Sequence, residues 1–218
     1  MKKQTIIAFV LFTLLTTVTF QEKLKISKFN LKEIKIENNL VLKEPYIKDL
    51  LLPIYNKNLI FLKDVEVKEL LMQNTFIESF IIKKKYPNVL KIKIFEKKPI
   101  AILQNKKKKF YLSKKIELIE FNDLNNYKEL PYVFGNKREF KIFYNNLSKI
   151  EFPFDMIKTF TLFESNRWDL ETINKKLIKL PHKDYTKSLR NYLHFINKND
   201  LNKYKVFDYR INGQLILK

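Results

Sequence analysis

Apolar and polar residues alternate strictly in parts of the first half of the chain, and helical spacing appears between these parts. Alternation is typical of a half-buried strand, whereas apolar residues at i, i+3 and i+4 are typical of one helix face. The predicted elements are a strand at 32–37, helices that begin near Glu44 and at Asp64, and strands at 76–86 and 89–94. This order predicts a βααββ unit whose helices cover one face of a three-stranded sheet, with Asp64 as an N-cap.

The second half of the chain has shorter apolar segments and predicts a second α+β domain over 102–218. Its predicted strands are 102–104, 110–113, 116–120, 157–163, 168–171, 177–180, 204–211 and 214–217, with helices at 140–147 and after Asp184. Asn212-Gly213 between the last two strands is a strong signal for a two-residue hairpin turn. Trp168 is expected to anchor the core of this domain, because its strand alternates with Asp169 pointing outward.

An uncharged stretch of 16 residues, 5–20, lies near the start of the chain. A helix of this length spans roughly 24 Å, which is marginal for a hydrocarbon core of roughly 30 Å. The favoured interpretation is an uncleaved signal anchor with residues 1–4 as a short cytoplasmic tail and the rest exported. The alternative interpretation is a cleaved signal peptide, although Thr17-Val18-Thr19 is a poor cleavage pattern.

Composition removes several classes of function. The chain has 43 Lys+Arg against 23 Asp+Glu, a net charge of +20, two glycines, no cysteine and two histidines, His182 and His194. Too few glycines are present for a glycine-rich phosphate loop, and the lack of cysteine excludes disulfides and thiolate metal sites. No cofactor or metal is therefore predicted, and both histidines are expected on surface turns or helix flanks. The lysine run 106–109 is expected to be a solvated hairpin tip.

The residues alone suggest two functions, an exported enzyme and binding to an anionic surface. An exported glycosidase would need a carboxylate pair, for which Glu33 with Glu37 or Glu117 with Glu120 are the candidates. Alternating surface charge explains these glutamates equally well, so an enzyme is not predicted. The high positive charge also suggests binding to anionic surfaces, either lipid headgroups or nucleic acid, although only four arginines are present.

The order of several short motifs resembles the FtsQ/DivIB family of bacterial cell division proteins over nearly the whole chain. A basic strand, a Pro-Asn-x-Leu turn and the ending Glu-Lys-Lys-Pro-Ile-Ala occupy 76–101 and resemble the POTRA domain of that family. The further matches are Leu-Pro to Gly at 130–135, Arg-Trp-Asp-Leu at 167–170 with Ile-Lys-Leu-Pro at 178–181, and Phe-Asp-Tyr-Arg at 207–210 before Asn212-Gly213. Tyr209 departs from the usual leucine of this ending.

The resemblance implies a fold and a function. It implies an α+β protein with a single-pass membrane helix, a βααββ POTRA domain at 24–101 and a mixed β-sheet domain at 102–218. It also implies a non-catalytic divisome scaffold in the inner membrane, with the N-terminus cytoplasmic and the C-terminus periplasmic at the division septum. Such a protein binds FtsB and FtsL, links early and late division proteins and controls septal peptidoglycan synthesis, and its POTRA domain contacts FtsK-like and septal synthase proteins. The alternatives are an exported POTRA-type assembly or secretion factor and a basic protein that binds anionic surfaces.

The candidate partner site is the end of the chain, where the resemblance implies that a segment of FtsB adds as a strand to the sheet. Its residues are Tyr209, Arg210, Ile211, Asn212, Gly213, Gln214, Leu215, Ile216, Leu217 and Lys218. An edge strand leaves backbone N–H and C=O groups for another chain to pair. Whether this strand is an edge or an interior strand is open from the sequence. Arg210 is expected either to form a cross-strand pair with Asp208 that positions this hairpin or to meet an acidic residue of FtsB.

Overall fold

The computed structural model describes residues 2–17, 26–106, 108–196, 203–211 and 213–218. The chain divides into two compact units, Met1–Glu96 and Lys97–Lys218. This division falls before the boundary expected after Ala101, because the strand Pro99–Asn105 pairs entirely within the second sheet.

The N-terminal helix α1 covers Lys2–Thr17. Its apolar side chains between Ile6 and Phe12 are exposed. The helix begins three residues before the predicted apolar stretch, and the end of that stretch, 18–20, lies outside the described residues. None of the helices in the described ranges has the length and apolar character needed to cross a membrane.

The N-terminal unit confirms the predicted βααββ order. Its elements are β1 Glu33–Glu37, α2 Glu44–Leu50, α3 Asp64–Leu71, β2 Ile77–Lys85 and β3 Val89–Glu96. The sheet order is β1-β3-β2, with β1 parallel and β2 antiparallel to β3. Leu90, Ile92 and Ile94 of β3 are fully buried, which confirms their predicted common face.

Asp64 is not the N-cap of α3, because the helix begins at Asp64 itself and Lys63 is the capping residue. The Lys63 N–H donates to Oε1 of Glu66 at 3.1 Å. The Glu66 carboxylate therefore accepts the backbone N–H of the capping residue, as the Glu of a capping box does.

The C-terminal unit contains a nine-stranded mixed sheet and two helices. Its elements are β4 Pro99–Asn105, β5 Lys108–Ser113, β6 Leu118–Glu120, β7 Tyr132–Phe134, α4 Lys137–Lys149, β8 Ile157–Leu162, β9 Trp168–Thr172, β10 Leu177–Lys179, α5 Tyr185–Ile196, β11 Val206–Asp208 and β12 Ile216–Leu217. The strand order is β12-β11-β10-β9-β8-β7-β4-β5-β6. Both α4 and α5 contribute buried side chains to the single core of this unit.

Trp168 lies in that core, as predicted. It is 4% exposed, and its ring stacks on Phe143 of α4 with 4.8 Å between ring centroids. Phe140 meets the same indole edge-on at 6.0 Å. Helix α4 is positioned by Asn136, whose Oδ1 accepts the N–H of Glu139 at 2.9 Å as an N-cap.

The final strand pair is shorter than predicted. β11 ends at Asp208 and β12 begins at Ile216, although a turn does close where it was expected. The Gln214 N–H donates to the Ile211 carbonyl at 3.1 Å, and Gly213 has a φ of +74°, a conformation that glycine adopts without strain. Asn212 lies outside the described residues.

The strands separate early because of Asp208. The Arg210 N–H donates to Oδ1 of Asp208 at 3.1 Å, so this amide is not available for pairing with β12. The local side-chain bond therefore competes with the ladder and ends it.

Candidate partner-binding edge

The last strand, β12, is an outer strand of the C-terminal sheet among the described residues. It pairs antiparallel with β11, with Phe207 opposite Leu217. Lys218 and Val206 exchange two backbone bonds, at 3.1 Å and 3.0 Å. Backbone groups alternate between the two sides of an antiparallel strand, so Leu217 directs its N–H and C=O toward the open side. Within the described part of the chain, β12 is therefore an edge strand, a point that the sequence leaves open.

Side chains along this edge alternate as well. Leu215 and Leu217 pack against the core of the C-terminal unit. Ile216 between them points to the opposite face and is 36% exposed, and Ile211 in the preceding turn is 52% exposed. The edge therefore offers unpaired backbone groups together with exposed apolar side chains.

Arg210 pairs with Asp208 of the same chain. Its Nε donates to Oδ1 at 2.8 Å and to Oδ2 at 3.0 Å, and its Nη2 donates to Oδ2 at 2.6 Å. The hydrogen bonds from Arg210 hold the pKa of the Asp208 carboxyl below its usual value, even though burial opposes this shift. The Arg210 side chain keeps 42% of its surface exposed. Arg210 thus pairs with Asp208 as expected, but the pair lies within one segment, two residues apart, and is not a cross-strand pair.

A row of alternating charges leads across the sheet to this pair. Lys179 of β10 lies opposite Asp169 on one side and opposite Asp208 on the other. Asp169 does not point into solvent as expected but is only 6% exposed, because Arg167 and Lys179 lie beside it. Arg167 reaches its carboxylate, with 3.4 Å between Nε and Oδ1. Burial raises the pKa of Asp169, with Arg167 as the strongest opposing influence. The two carboxylates thus have opposite pKa shifts, because burial dominates at Asp169 whereas the hydrogen bonds from Arg210 dominate at Asp208.

Tyr209 attaches the start of the segment between β11 and β12 to the core of the C-terminal unit. Its N–H donates to the Lys179 carbonyl at 2.8 Å and its hydroxyl donates to Oδ1 of Asn191 at 3.0 Å. Burial raises the pKa of Tyr209, and it raises the pKa of the neighbouring Tyr192 to about 12. Because the Tyr209 side chain is only 6% exposed, it positions the edge and does not present a surface.

A cleft of about 320 Å³ lies beside the edge, between α5 and the connection from β11 to β12. Its apolar lining includes Phe195 and Leu215, and Lys183 and Lys187 contribute positive charge to its lining. The sequence did not single out α5 as part of a site. The available signal was the pair of lysines at the start of this helix, Lys183 just before it and Lys187 in its first turn.

The structure brings most of the predicted site residues together at this edge. Arg210, Ile211 and Gly213 to Lys218 form or flank the open strand, whereas Tyr209 is buried beneath it. Lys179 and Asn191 also shape the site and were missed. Lys179 could have been found from strand alternation, while the contact of Asn191 depends on tertiary packing.

Three of the four carboxylates considered for catalysis are engaged with lysines. Glu33 pairs with Lys35 at 3.2 Å, Glu37 with Lys91 at 2.7 Å and Glu117 with Lys97 at 2.9 Å. Across the described part of the chain, no three Asp, Glu or His side chains are grouped as metal ligands.

His182 lies in an exposed turn, with Nδ1 2.9 Å from the Asn166 carbonyl oxygen, and His194 is exposed on α5. Both positions confirm the expectation of a surface turn or a helix flank.

The class of the N-terminal unit follows from a family model. Residues 29–97 match the model described as "POTRA domain, FtsQ-type", which agrees with the βααββ order and the mixed sheet. The match covers the whole sheet of this unit and helices α2 and α3.

Relatives of known name extend the comparison to both units. The chain is 30% identical to "Cell division protein FtsQ" of Rickettsia conorii, over 91% of this chain and 75% of that protein. The same values hold for the protein of that name from Rickettsia felis. The chain therefore belongs to the FtsQ family of cell division proteins. A solved extracytoplasmic domain of DivIB from Geobacillus stearothermophilus is also similar, with 12% identity and a TM-score of 0.34 over 50% of this chain and 98% of that chain.

Proposed function

We propose that this protein is a non-catalytic scaffold of the cell division machinery that binds the FtsB–FtsL pair through its C-terminal edge. Membership of the FtsQ family supports the link to division, and the open edge at β12 supports the mode of binding. In this role the N-terminal apolar segment anchors the protein in the inner membrane, and the body lies in the periplasm near the septum. Control of septal peptidoglycan synthesis then passes through the proteins that it holds together.

The observation that supports this proposal most directly is the outward direction of the Leu217 backbone. A partner strand that pairs there completes two hydrogen bonds without displacing β11. Alternate residues of the partner then lie next to Ile216 on one face and Leu217 on the other, so its apolar pattern sets the register.

Arg210 contributes charge to the same site. Its bonds to Asp208 use Nε and Nη2, so a partner carboxylate can accept from Nη1 without breaking the pair. Asp208 fixes the direction of the guanidinium, which lowers the entropy lost when a partner binds. An acidic residue flanking the partner strand fits this position.

Substitution of Leu217 tests the proposal. Leu217→Pro removes the outward N–H, whereas Leu217→Ala removes the same core contacts and keeps the N–H. We expect Leu217→Pro to weaken binding to purified FtsB–FtsL at least tenfold more than Leu217→Ala in titration calorimetry. Equal affinities of the two variants would exclude strand addition at this edge.

Hydrogen exchange gives an independent readout on the wild-type chain. Mixing with FtsB–FtsL should slow exchange at Leu217 and leave Lys218 nearly unchanged, because the Lys218 amide is already bonded to Val206. Protection elsewhere with none at Leu217 would place the partner on another surface.

A further inference from the structure

The face of the N-terminal sheet opposite to its helices carries mainly lysines. Since Leu90, Ile92 and Ile94 point to the core, the residues that alternate with them lie on the open face. We call this surface the lysine face, and its basic members are Lys35, Lys83, Lys85, Lys91 and Lys93. All lie on one short three-stranded sheet.

Like charges are placed directly opposite one another on the lysine face. Lys91 of β3 lies between Lys35 of β1 and Lys83 of β2, in a row across all three strands. Like charges in this arrangement destabilise a sheet. A surface that served only solubility would have both signs interspersed.

The carboxylates on this face lie mainly on β1 and compensate only part of the charge. Lys35 pairs with Glu33 at 3.2 Å and Lys91 with Glu37 at 2.7 Å. Lys83, Lys85 and Lys93 take part in none of the ion pairs found among the described residues. Glu78 lies at the far end of β2. The β2 side of the lysine face is therefore the most positive.

Apolar side chains are interleaved with these lysines. Ile81 is 47% exposed and lies opposite Lys93, whose Nζ is 5.5 Å from the centre of the Phe95 ring. A flat basic surface with apolar side chains suits the boundary of a bilayer, where lysines reach phosphates and apolar groups enter the acyl region. The lysine face has no arginine, although arginine is favoured for bidentate contacts with nucleic acid.

We propose that the lysine face binds the surface of a bilayer that contains anionic phospholipids. Helix α1 ends at Thr17 and β1 begins at Glu33, and the roughly 15 residues between them reach at most about 50 Å. The lysine face is thus within reach of a bilayer that holds α1, and this step depends on the membrane anchor of the proposed function. Headgroup contact would limit the orientations of this unit near the membrane.

A single fluorophore on the lysine face tests the proposal, because the chain has no cysteine to compete for labelling. Ser79→Cys places an environment-sensitive dye on the exposed end of this face. The full chain is placed in vesicles of phosphatidylcholine alone or mixed equally with phosphatidylglycerol. We expect a blue shift only with phosphatidylglycerol, and we expect high salt to reverse it. The same label at the exposed Ser148 of α4 should not respond to lipid composition.

Removal of charge provides matched variants. The triple substitution Lys83→Gln, Lys85→Gln and Lys93→Gln takes away the lysines without ion pairs, whereas Lys137→Gln, Lys141→Gln and Lys149→Gln removes the same charge from exposed positions on α4. At about fivefold per lysine, the first triple should lower the ratio of bound to unbound faces roughly a hundredfold. The second triple should leave this ratio unchanged.

Three results would overturn the proposal: no dependence of the Ser79 label on phosphatidylglycerol, equal effects of the two triples, or the same blue shift when DNA is added to neutral vesicles. Failure of the anchor is seen separately, as a chain that does not float with phosphatidylcholine vesicles. Salt-sensitive flotation with phosphatidylglycerol vesicles that the first triple abolishes would still support the lysine face.

Discussion

Arg210 chelates the carboxylate of Asp208 at the point where the last two strands separate, with Nη2 2.6 Å from Oδ2. The pair spans only two residues, so it shapes the chain locally and does not join distant elements. It ends β11, fixes the guanidinium against Asp208, and leaves Gly213 to make the turn back to β12. In this chain, the Asp-x-Arg motif before the hairpin therefore orients the edge strand.

This pair predicts acid sensitivity of the C-terminal edge. Because the folded pKa of Asp208 is lowered, its contribution to stability is present above the unfolded value near 4 and is lost as the pH falls through the folded value. In the wild type, we expect protection of the bonded amides of Gln214 and Lys218 to decrease below about pH 4. Asp208→Asn should show weak protection already at neutral pH and little further change, as measured by hydrogen exchange. Protection that falls equally in both proteins would assign the acid sensitivity to other groups.

For Asp169 we predict the opposite dependence of stability on pH. Burial raises its folded pKa, so the ionised carboxylate lowers stability at neutral pH and the penalty is relieved as the pH falls through the folded value. We expect Asp169→Asn to have a free energy of unfolding equal to or above that of the wild type at neutral pH. The difference should shrink toward about pH 4, as measured by urea unfolding. A marked loss of stability at neutral pH would show that the contacts with Arg167 and Lys179 outweigh the cost of burial.

Much of the fold could be predicted from the sequence because its strands alternate cleanly. The strands around Ile34 and Ile92 were found within a residue or two, since one face of each is buried and the other faces water. The short strands β11 and β12 were predicted too long. Alternation continues through Tyr209 and Leu215, but the side chain of Asp208 ends the ladder, and this competition depends on a contact that periodicity does not reveal.

The partner site at the last strand stays a prediction, and the residues that support this strand could not be predicted from the sequence. Gly213 marked the turn, and the motif around Arg210 marked the site through a family resemblance. Edge status depends on which strand ends up outermost in the nine-stranded order, and this order is fixed by long-range packing such as Tyr209 against Asn191. No local pattern of residues carries that information.

We predict that the side chain of Glu96 contributes strongly to the stability of the N-terminal unit. Its carboxylate accepts three successive backbone N–H groups, from Leu40 at 3.0 Å, Val41 at 2.8 Å and Leu42 at 2.9 Å. Charged acceptors make strong hydrogen bonds, so Glu96→Ala should lower the free energy of unfolding by about 2 kcal/mol. Glu96→Gln should lie between the alanine variant and the wild type in urea unfolding.

The control for Glu96 is Glu69, an exposed glutamate on α3. Glu69→Ala should change the free energy of unfolding by less than about 0.5 kcal/mol, as usual for surface substitutions. Equal losses for the two alanine variants would show that the loop at 40–42 does not depend on the carboxylate.

At Gly135 we predict that a single added methyl group is not tolerated. A Cβ at this position would lie 3.0 Å from Cβ of Leu162 and 3.4 Å from the ring of Trp168. Because Trp168 is packed between aromatic rings and cannot move freely, Gly135→Ala should destabilise the protein by about 1–3 kcal/mol. The measurement is thermal unfolding followed by near-ultraviolet circular dichroism, which reports the environment of the tryptophan.

Gly213 supplies the contrast, because a Cβ there has no atom within 4 Å but φ is +74°. Gly213→Ala should therefore cost about 1 kcal/mol through backbone strain alone, and Gly213→Asn should cost less, since asparagine enters the left-handed region more readily. The near-ultraviolet signal of Trp168 should change in Gly135→Ala and stay constant in both Gly213 variants. A wild-type signal and stability in Gly135→Ala would mean that Leu162 yields to the new methyl group and that close approach is not the reason for glycine at this position.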